Sequence, residues 1–137
     1  MKGDSLLQTR VGRRSWLHKF SCAFKGLKAG IRGHSSFSVH FFAAAIVVSL
    51  ATVLSCNLTE WAVLVGCVAA VMVSELFNSA VEELVRCHPE NERHRYWPAL
   101  DVAAGAVLAA SFFAMVVGSL ILGNKVMGLW LATSVYQ

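Results

Sequence analysis

Long apolar runs dominate the middle and the end of this sequence. The first covers residues 37–56, and its polar members are small or lie near an end. The short turn 56–60 must return the chain antiparallel to a second apolar run, 61–85, and a third covers 101–122. About 20 apolar residues are enough for a helix to cross the hydrocarbon core of a bilayer. The pattern therefore predicts an all-α membrane protein with three transmembrane helices.

A different pattern precedes the first span. Through residues 14–33, apolar side chains recur at steps of three and four, and basic side chains fall on the other face. An amphipathic helix with a basic face is typical of helices that lie in the membrane surface, although a soluble helix packed on a partner has the same pattern. Because three spans follow, we expect an N-terminal interfacial helix. Its apolar positions are Trp16, Leu17, Phe20, Phe24, Leu27 and Ile31, and its basic positions are Lys19, Lys25, Lys28 and Arg32.

Composition and charge place this chain among membrane proteins and predict its orientation. Charged residues make up 15% of the 137 residues, against about 25% in soluble domains, so we expect a single membrane domain over residues 1–137. The N-terminal segment and the loop after the second span hold eleven of the twelve Lys and Arg residues, which predicts that both are cytoplasmic. Gly123 and Asn124 predict a helix stop, so that residues 124–137 form a tail too short for a fourth crossing.

The same composition disfavours several other classes. The four cysteines are scattered without close spacing, which predicts neither a disulfide framework nor a zinc site. Basic residues flank the spans rather than forming a soluble basic domain, so no nucleic-acid partner is expected. A small transporter or scaffold subunit remains an alternative because carboxylates within spans suit a proton relay. We rank it last, since the sequence has no internal repeat.

Polar groups interrupt the second span near its cytoplasmic end. They are Glu75, Asn78, Ser79 and Glu82. Their spacing of i, i+3, i+4 and i+7 places them on one face of a helix. A charge at mid-span costs about 2.5–3.5 kcal/mol, and an intramembrane carboxylate is a functional candidate by default. Glu75 is a candidate general base, and Glu82, about 10 Å closer to the cytoplasm, a candidate metal ligand. Polar bonding between helices is the alternative, which we favour only for Ser79 taken alone.

Asp101 opens the third span from the same cytoplasmic side. An acid at this position is equally expected as a helix cap or as a partner of the helix dipole. The small residues at 103–106 allow another backbone to approach closely, which is a packing signal. His40, near the start of the first span, is expected to be an interfacial residue, and the loop 88–98 a solvated connection.

These residues resemble the motifs of the small prokaryotic integral-membrane diacylglycerol kinases and undecaprenol kinases. That family shows E-x-x-N-[ST]-A-[IV]-E-x-x-x-D on its second span, where this chain reads ELFNSAVEELVR over 75–86. It shows A-K-D-x-x-[AGS]-[AG]-A-V-L or similar before its third span, where this chain reads ALDVAAGAVL over 99–108. The segment FKGLKAGIRGHSSFSVH, 24–40, resembles the family's amphipathic helix and turn.

The resemblance implies a homotrimer in the bacterial inner membrane, with its N-terminus cytoplasmic and its active sites shared between subunits. It implies a lipid kinase that transfers the γ-phosphate of ATP, with Mg²⁺, to the hydroxyl of diacylglycerol or undecaprenol. In this chain, Glu75 would be the general base, and Asn78, with Ser79 beside it, would hold substrate or phosphate. Glu82 would bind Mg²⁺, and Asp101 would support the polar network near the nucleotide.

Three positions depart from the family pattern. His34 stands where the family has a second metal-binding glutamate, Leu100 where it has a lysine, and Arg86 where its first motif ends in aspartate. Mg²⁺ prefers oxygen ligands, so His34 is a poor replacement as a metal ligand and a better phosphate or substrate contact. Leu100 has no positive charge with which to bind a phosphate.

Two interpretations of these departures compete. In the first, nearby cations replace the missing positive charge and Glu82 carries the metal alone or with waters. The cations available are Arg86, Arg93, Arg95, Lys25 and Lys28. In the second, the chain keeps a kinase fold with weakened or lost catalysis and has a lipid-binding or structural role. We favour the first, because the acids and the asparagine of both motifs are retained together.

Overall fold

The computed structural model describes residues 16–33 and 36–135, and these form helices joined by short turns, with no strand. This confirms the predicted all-α fold. The elements are α1 (Trp16–Gly33), α2 (Ser36–Val53), α3 (Leu58–Arg86), a 3₁₀ helix (Glu90–Tyr96) and α4 (Trp97–Val135). They fall into two compact units, α1 in one and all the following elements in the other. Each unit is described by itself, and the expectation of a single domain stays a prediction.

α1 has the amphipathic character that its sequence predicts. Its large apolar side chains, among them Trp16, Phe20 and Phe24, are exposed within the described residues. The ammonium of Lys19 lies 4.6 Å from the centre of the Trp16 ring, a cation–π contact at the start of the helix. A helix that leaves one apolar stripe uncovered and carries lysines beside it suits a membrane surface. Its location at that surface stays a prediction.

The turn between α2 and α3 is built by two helix caps. The Cys56 amide donates to the Ala51 carbonyl at 3.0 Å and the Ser55 amide to the Thr52 carbonyl at 3.2 Å, the paired bonds of a Schellman motif. Ser55 takes the left-handed conformation that this motif requires, with φ of 50°. Asn57 then caps α3 in a capping box with Glu60. Two consecutive caps explain how a turn this short reverses the chain.

α3 lies at the centre of the second unit. It packs along α4 and also against α2, whereas α2 and α4 contact each other only briefly. The buried apolar core is small, and most large apolar side chains of these helices are exposed. Three helices are long and apolar enough to cross a membrane. The core residues are Phe37, Ala51, Leu64, Val71 and Val85.

α4 is longer than its sequence predicts at both ends. It has 39 residues and continues through Gly123 and Asn124 to Val135, so the predicted stop at these two residues is wrong. Gly123 keeps helical geometry instead of the left-handed conformation of a C-terminal cap, and the residues that follow are apolar with no proline. Thr133 donates its hydroxyl back to the helix, to the Trp130 carbonyl at 2.8 Å.

Polar contacts fix both ends of α3. At one end, Lys125 Nζ lies 2.9 Å from Glu60 Oε2. At the other, Arg93 in the 3₁₀ helix donates to the carbonyls of Arg86 and His88, both at 3.0 Å, and so satisfies carbonyls at the end of α3. The loop predicted as a solvated connection is therefore partly ordered against α3.

Candidate active site

Glu75 is the most deeply buried charged side chain that the structure describes. It is 3% exposed and lies on the side of α3 that faces the start of α2. The Ser36 hydroxyl donates a hydrogen bond to Glu75 Oε1, and His40 Nε2 lies 3.8 Å from Glu75 Oε2. Ser36 is the first residue of α2, so Glu75 is level with the end of that helix. Both carboxylate oxygens thus have polar neighbours from one turn of α2.

The next polar residues along the predicted face form a ladder on α3. Asn78 Nδ2 donates to Glu82 Oε1 at 2.9 Å, and Arg86 Nη2 lies 3.8 Å from Glu82 Oε2. Each step is i to i+4, the spacing at which helical side chains meet. Asn78 and Glu82 therefore share a face, as the sequence indicates, and Arg86 extends it by one turn.

Ser79 is not part of this ladder. It is 2% exposed, and its hydroxyl has no hydrogen-bond partner among the residues that the structure describes. It does not line the polar pocket described below. The structure therefore groups Ser79 with the buried side of α3, and its role as a substrate or phosphate contact stays a prediction.

A polar pocket of about 390 Å³ lies between the last third of α3, the 3₁₀ helix and the start of α4. It brings together side chains of both signs from three elements. Asp101 is the fifth residue of α4 and is exposed, so it is not the helix cap that its sequence position allowed. The lining residues are Asn78, Glu82, Val85, Arg86, Arg93, Trp97, Leu100, Asp101 and Ala104.

The sequence alone did not place two of these lining residues at the pocket. Arg93 was one of five cations available to the site by sequence, and the 3₁₀ helix folds it against the pocket. Trp97 was not singled out. Its position as the first residue of a helix with proline next, after a polar loop, is the signal that marks it as an interfacial residue close to the site.

A second, apolar cavity of about 350 Å³ lies between α2, α3 and α4. Leu64, Val68 and Val71 are among the α3 residues that line it, and Ser111 is one of its few polar groups. His40 also lines this cavity while it faces Glu75, so the imidazole stands between the buried carboxylate and the apolar space. The sequence predicted only that His40 lies at the membrane interface.

Two predicted site residues cannot be placed beside these pockets. His34 lies outside the described residues. Lys25 lies on α1, which belongs to the other unit. Their predicted roles stay predictions: a metal ligand or a phosphate or substrate contact for His34, and a phosphate contact for Lys25.

Comparison with known proteins decides the family. The sequence profile of the prokaryotic diacylglycerol kinases matches residues 21–122 of this chain. The chain belongs to that family. A diacylglycerol kinase from Synechocystis sp. is 33% identical over 107 residues, which cover 77% of this chain and 61% of the relative. This chain thus matches about three-fifths of its curated relative's length. No solved structure matches it.

Family membership and the three apolar helices together identify a multi-pass membrane protein. The matched residues include all of α2 and α3 and α4 as far as Leu122. Both pockets therefore lie inside the matched region. The last part of α4, which includes Lys125, lies beyond it.

The donor groups of the polar pocket are suitable for Mg²⁺ that arrives with phosphates, but not for a metal bound by protein alone. Among residues 16–33 and 36–135, no three His, Cys, Asp or Glu side chains converge on one point. Mg²⁺ commonly binds one or two protein carboxylates and keeps waters and substrate phosphates as its other ligands. Glu82 and Asp101 supply carboxylates to one pocket, and Asn78 adds an amide.

Proposed function

We propose that this chain is a lipid kinase that transfers the γ-phosphate of ATP to the hydroxyl of diacylglycerol or undecaprenol at the cytoplasmic face of the inner membrane. The observation that carries the proposal is a pocket lined by side chains of both charges at one end of a bundle of apolar helices, on the same helix that carries a buried carboxylate. Such a site serves a reaction between a water-soluble phosphate donor and a membrane-bound alcohol.

Phosphoryl transfer depends mainly on positioning and on stabilising charge at the phosphates. In the proposed mechanism, Arg86 and Arg93 supply that positive charge. They line the pocket together with Leu100, which stands where the family has a lysine. An arginine binds phosphate through a planar fork of donors, so it replaces the charge of a lysine and adds directionality. This placement supports the interpretation that cations from neighbouring positions replace the missing lysine.

Glu82, Asp101 and Asn78 would hold the Mg²⁺ of the nucleotide. When bound, the ion would neutralise negative charge on the phosphates of the nucleotide. Asn78 donates to one oxygen of Glu82, which fixes the carboxylate and leaves its other oxygen directed towards Arg86. Glu75 takes the proton from the lipid hydroxyl as that oxygen attacks the γ-phosphorus.

A second subunit is part of the proposal. Glu75 and Glu82 are about 10 Å apart along the axis of α3, a separation too large for one phosphate to span. In addition, Glu75 faces α2, whereas Glu82 faces the start of α4. A homotrimer in which one subunit's Glu75 meets the pocket of a neighbour would bring base and phosphate together. The N-terminus and the polar pocket would both be cytoplasmic.

The test is lipid phosphorylation by the purified protein in bilayers, with labelled ATP, Mg²⁺ and either diacylglycerol or undecaprenol. We expect labelled lipid from the wild type, and a loss of about 100-fold or more in kcat for Glu75→Gln, because general-base catalysis contributes about 10²–10⁴-fold. Glu82→Gln should also lose activity, through weaker binding of the Mg²⁺–nucleotide complex.

Glu90→Gln is the control for Glu82→Gln. Glu90 begins the 3₁₀ helix, is exposed and does not line the polar pocket, so its substitution should leave kcat unchanged. Absence of labelled lipid with both alcohols, from a folded and oligomeric wild-type protein, would contradict the proposal and favour a kinase fold with a lipid-binding role.

A further inference from the structure

A buried general base must lose its proton before the next turnover, and the surroundings of Glu75 provide one route. The carboxylate is 4% exposed, so water has little access to it. The Ser36 hydroxyl donates to Oε1 and therefore occupies that oxygen with a proton of its own. Oε2 is the oxygen that faces the imidazole of His40, 3.8 Å away.

We infer that Ser36 and His40 are positioning residues for Glu75, and that His40 also accepts the proton that Glu75 takes from the lipid alcohol. This inference rests on the proposed function. Ser36 holds Oε1 and sets the plane of the carboxylate, which directs Oε2 to the reacting hydroxyl and to His40. His40 is 20% exposed, against 4% for Glu75, so the imidazole is the more accessible member of the pair.

The proton balance of the step is simple. The lipid O–H bond breaks, its proton goes to Glu75 Oε2, and the lipid oxygen forms a bond to the γ-phosphorus while the bond to the β-phosphate bridge breaks. The neutral imidazole, with its other proton on Nδ1, then takes the proton from Oε2 on the lone pair of Nε2. This leaves a carboxylate beside an imidazolium, which passes its proton to water. Histidine suits this role, because one ring nitrogen can accept a proton while the other releases one, which makes it a common proton shuttle.

The position of His40 suits a histidine better than a side chain with a permanent charge. Its imidazole lines the apolar cavity between the three helices on one side and faces Glu75 on the other. A permanent charge at that place would be costly in the membrane. An imidazole carries a charge only while it holds a second ring proton. The 3.8 Å separation has to shorten to about 2.6–3.2 Å for transfer, as catalytic hydrogen bonds do when substrate binds.

The test uses substitutions that separate hydrogen bonding from proton transfer. His40→Gln keeps an amide that can bond to Glu75 Oε2 but cannot accept and release a proton. We expect its kcat for lipid phosphorylation to fall about 100-fold, within the range of general acid–base effects. The KM for ATP should stay at the wild-type value, because the polar pocket is unchanged. Ser36→Ala should lower kcat about tenfold, the effect of losing a hydrogen bond to a charged group, and Ser36→Thr should restore it.

Two controls make the result specific. Ser38→Ala removes an exposed hydroxyl from the same turn of α2, and His94→Gln removes an exposed histidine from the 3₁₀ helix; both should keep wild-type kcat. If the wild type is active and His40→Gln retains its kcat, the inference is overturned while the proposed function stands. If the wild type phosphorylates neither lipid, the proposed function fails and the inference fails with it.

Discussion

Arg86 is the residue whose chemistry departs furthest from the family motif, because it puts a cation where the motif ends in an acid. It lines the polar pocket with Leu100 and Arg93. Arg86→Met should raise the KM for ATP by about tenfold or more, because a hydrogen bond to a charged group contributes about 1.5–3 kcal/mol. Leu100→Lys in the same background should recover part of the loss. Steady-state kinetics with varied ATP measures both effects.

Arg95→Met is the control for this pair of substitutions. Arg95 carries the same charge on the 3₁₀ helix, is exposed and does not line the pocket. The KM of the Arg95→Met variant for ATP should therefore equal that of the wild type. Equal KM values for Arg86→Met and Arg95→Met would mean that Arg86 serves only the charge asymmetry across the membrane.

At the residue scale, helical geometry made part of the site predictable. The shared face of Asn78 and Glu82 follows from the i, i+4 spacing, and their hydrogen bond confirms it. The partners of Glu75 did not follow from spacing, because Ser36 and His40 belong to another helix and meet it only through tertiary packing. The roles of all these residues stay predictions until the variants are measured.

In the turn that closes α2, a serine occupies a backbone conformation that favours glycine. Ser55 adopts φ of 50°, a conformation in which the side chain of an L-residue crowds the following carbonyl. Ser55→Gly should therefore raise the free energy of unfolding by about 1 kcal/mol. Ser49→Gly, in the middle of the same helix, should lower it by about 0.5 kcal/mol, because glycine is a poor helix former.

Reversible unfolding in mixed micelles measures both changes. A drop in stability for Ser55→Gly would contradict the left-handed assignment of this residue. Opposite signs for the two serine-to-glycine substitutions are the expected result, since the backbone is left-handed at Ser55 and helical at Ser49.

At the scale of elements, the lengths of the apolar helices α2 and α3 were predictable from the sequence, but the end of α4 was not. The described spans α2 and α3 begin and end within a few residues of the predicted runs. Gly123 and Asn124 failed as a stop signal, because a glycine ends a helix only when its backbone turns left-handed, and Gly123 remains helical. The 3₁₀ helix was missed since its polar sequence has no apolar periodicity.

For the whole molecule, the native cysteines provide a test of orientation. All of those in the described residues are free thiols, and three lie at different depths of the α3 region. Cys56 is in the turn before α3, Cys67 is within α3, and Cys87 follows its last residue. In variants that retain one cysteine each, a membrane-impermeant maleimide should label Cys56 in right-side-out vesicles and Cys87 only in inverted ones. Cys67 should react in neither.

The reverse labelling pattern would contradict the predicted orientation, since it would place the polar pocket outside the cell. Cys67 serves as the internal control for folding, because it lines the apolar cavity. Its labelling by a polar reagent would show that the protein has unfolded.

The length of α4 has a consequence for the choice of lipid environment. Asp101 and Lys125 bracket a stretch without charged residues that is about 36 Å long as a helix, whereas a typical hydrocarbon core is about 30 Å thick. Hydrophobic mismatch of this size is relieved by tilt or by local thickening of the bilayer. The ion pair of Lys125 with Glu60 ties α4 to α3, so any tilt carries both walls of the polar pocket with it. We therefore expect acyl-chain length to change how far Asp101 lies from the membrane surface, and bilayers of longer lipids to hold the pocket closest to that surface.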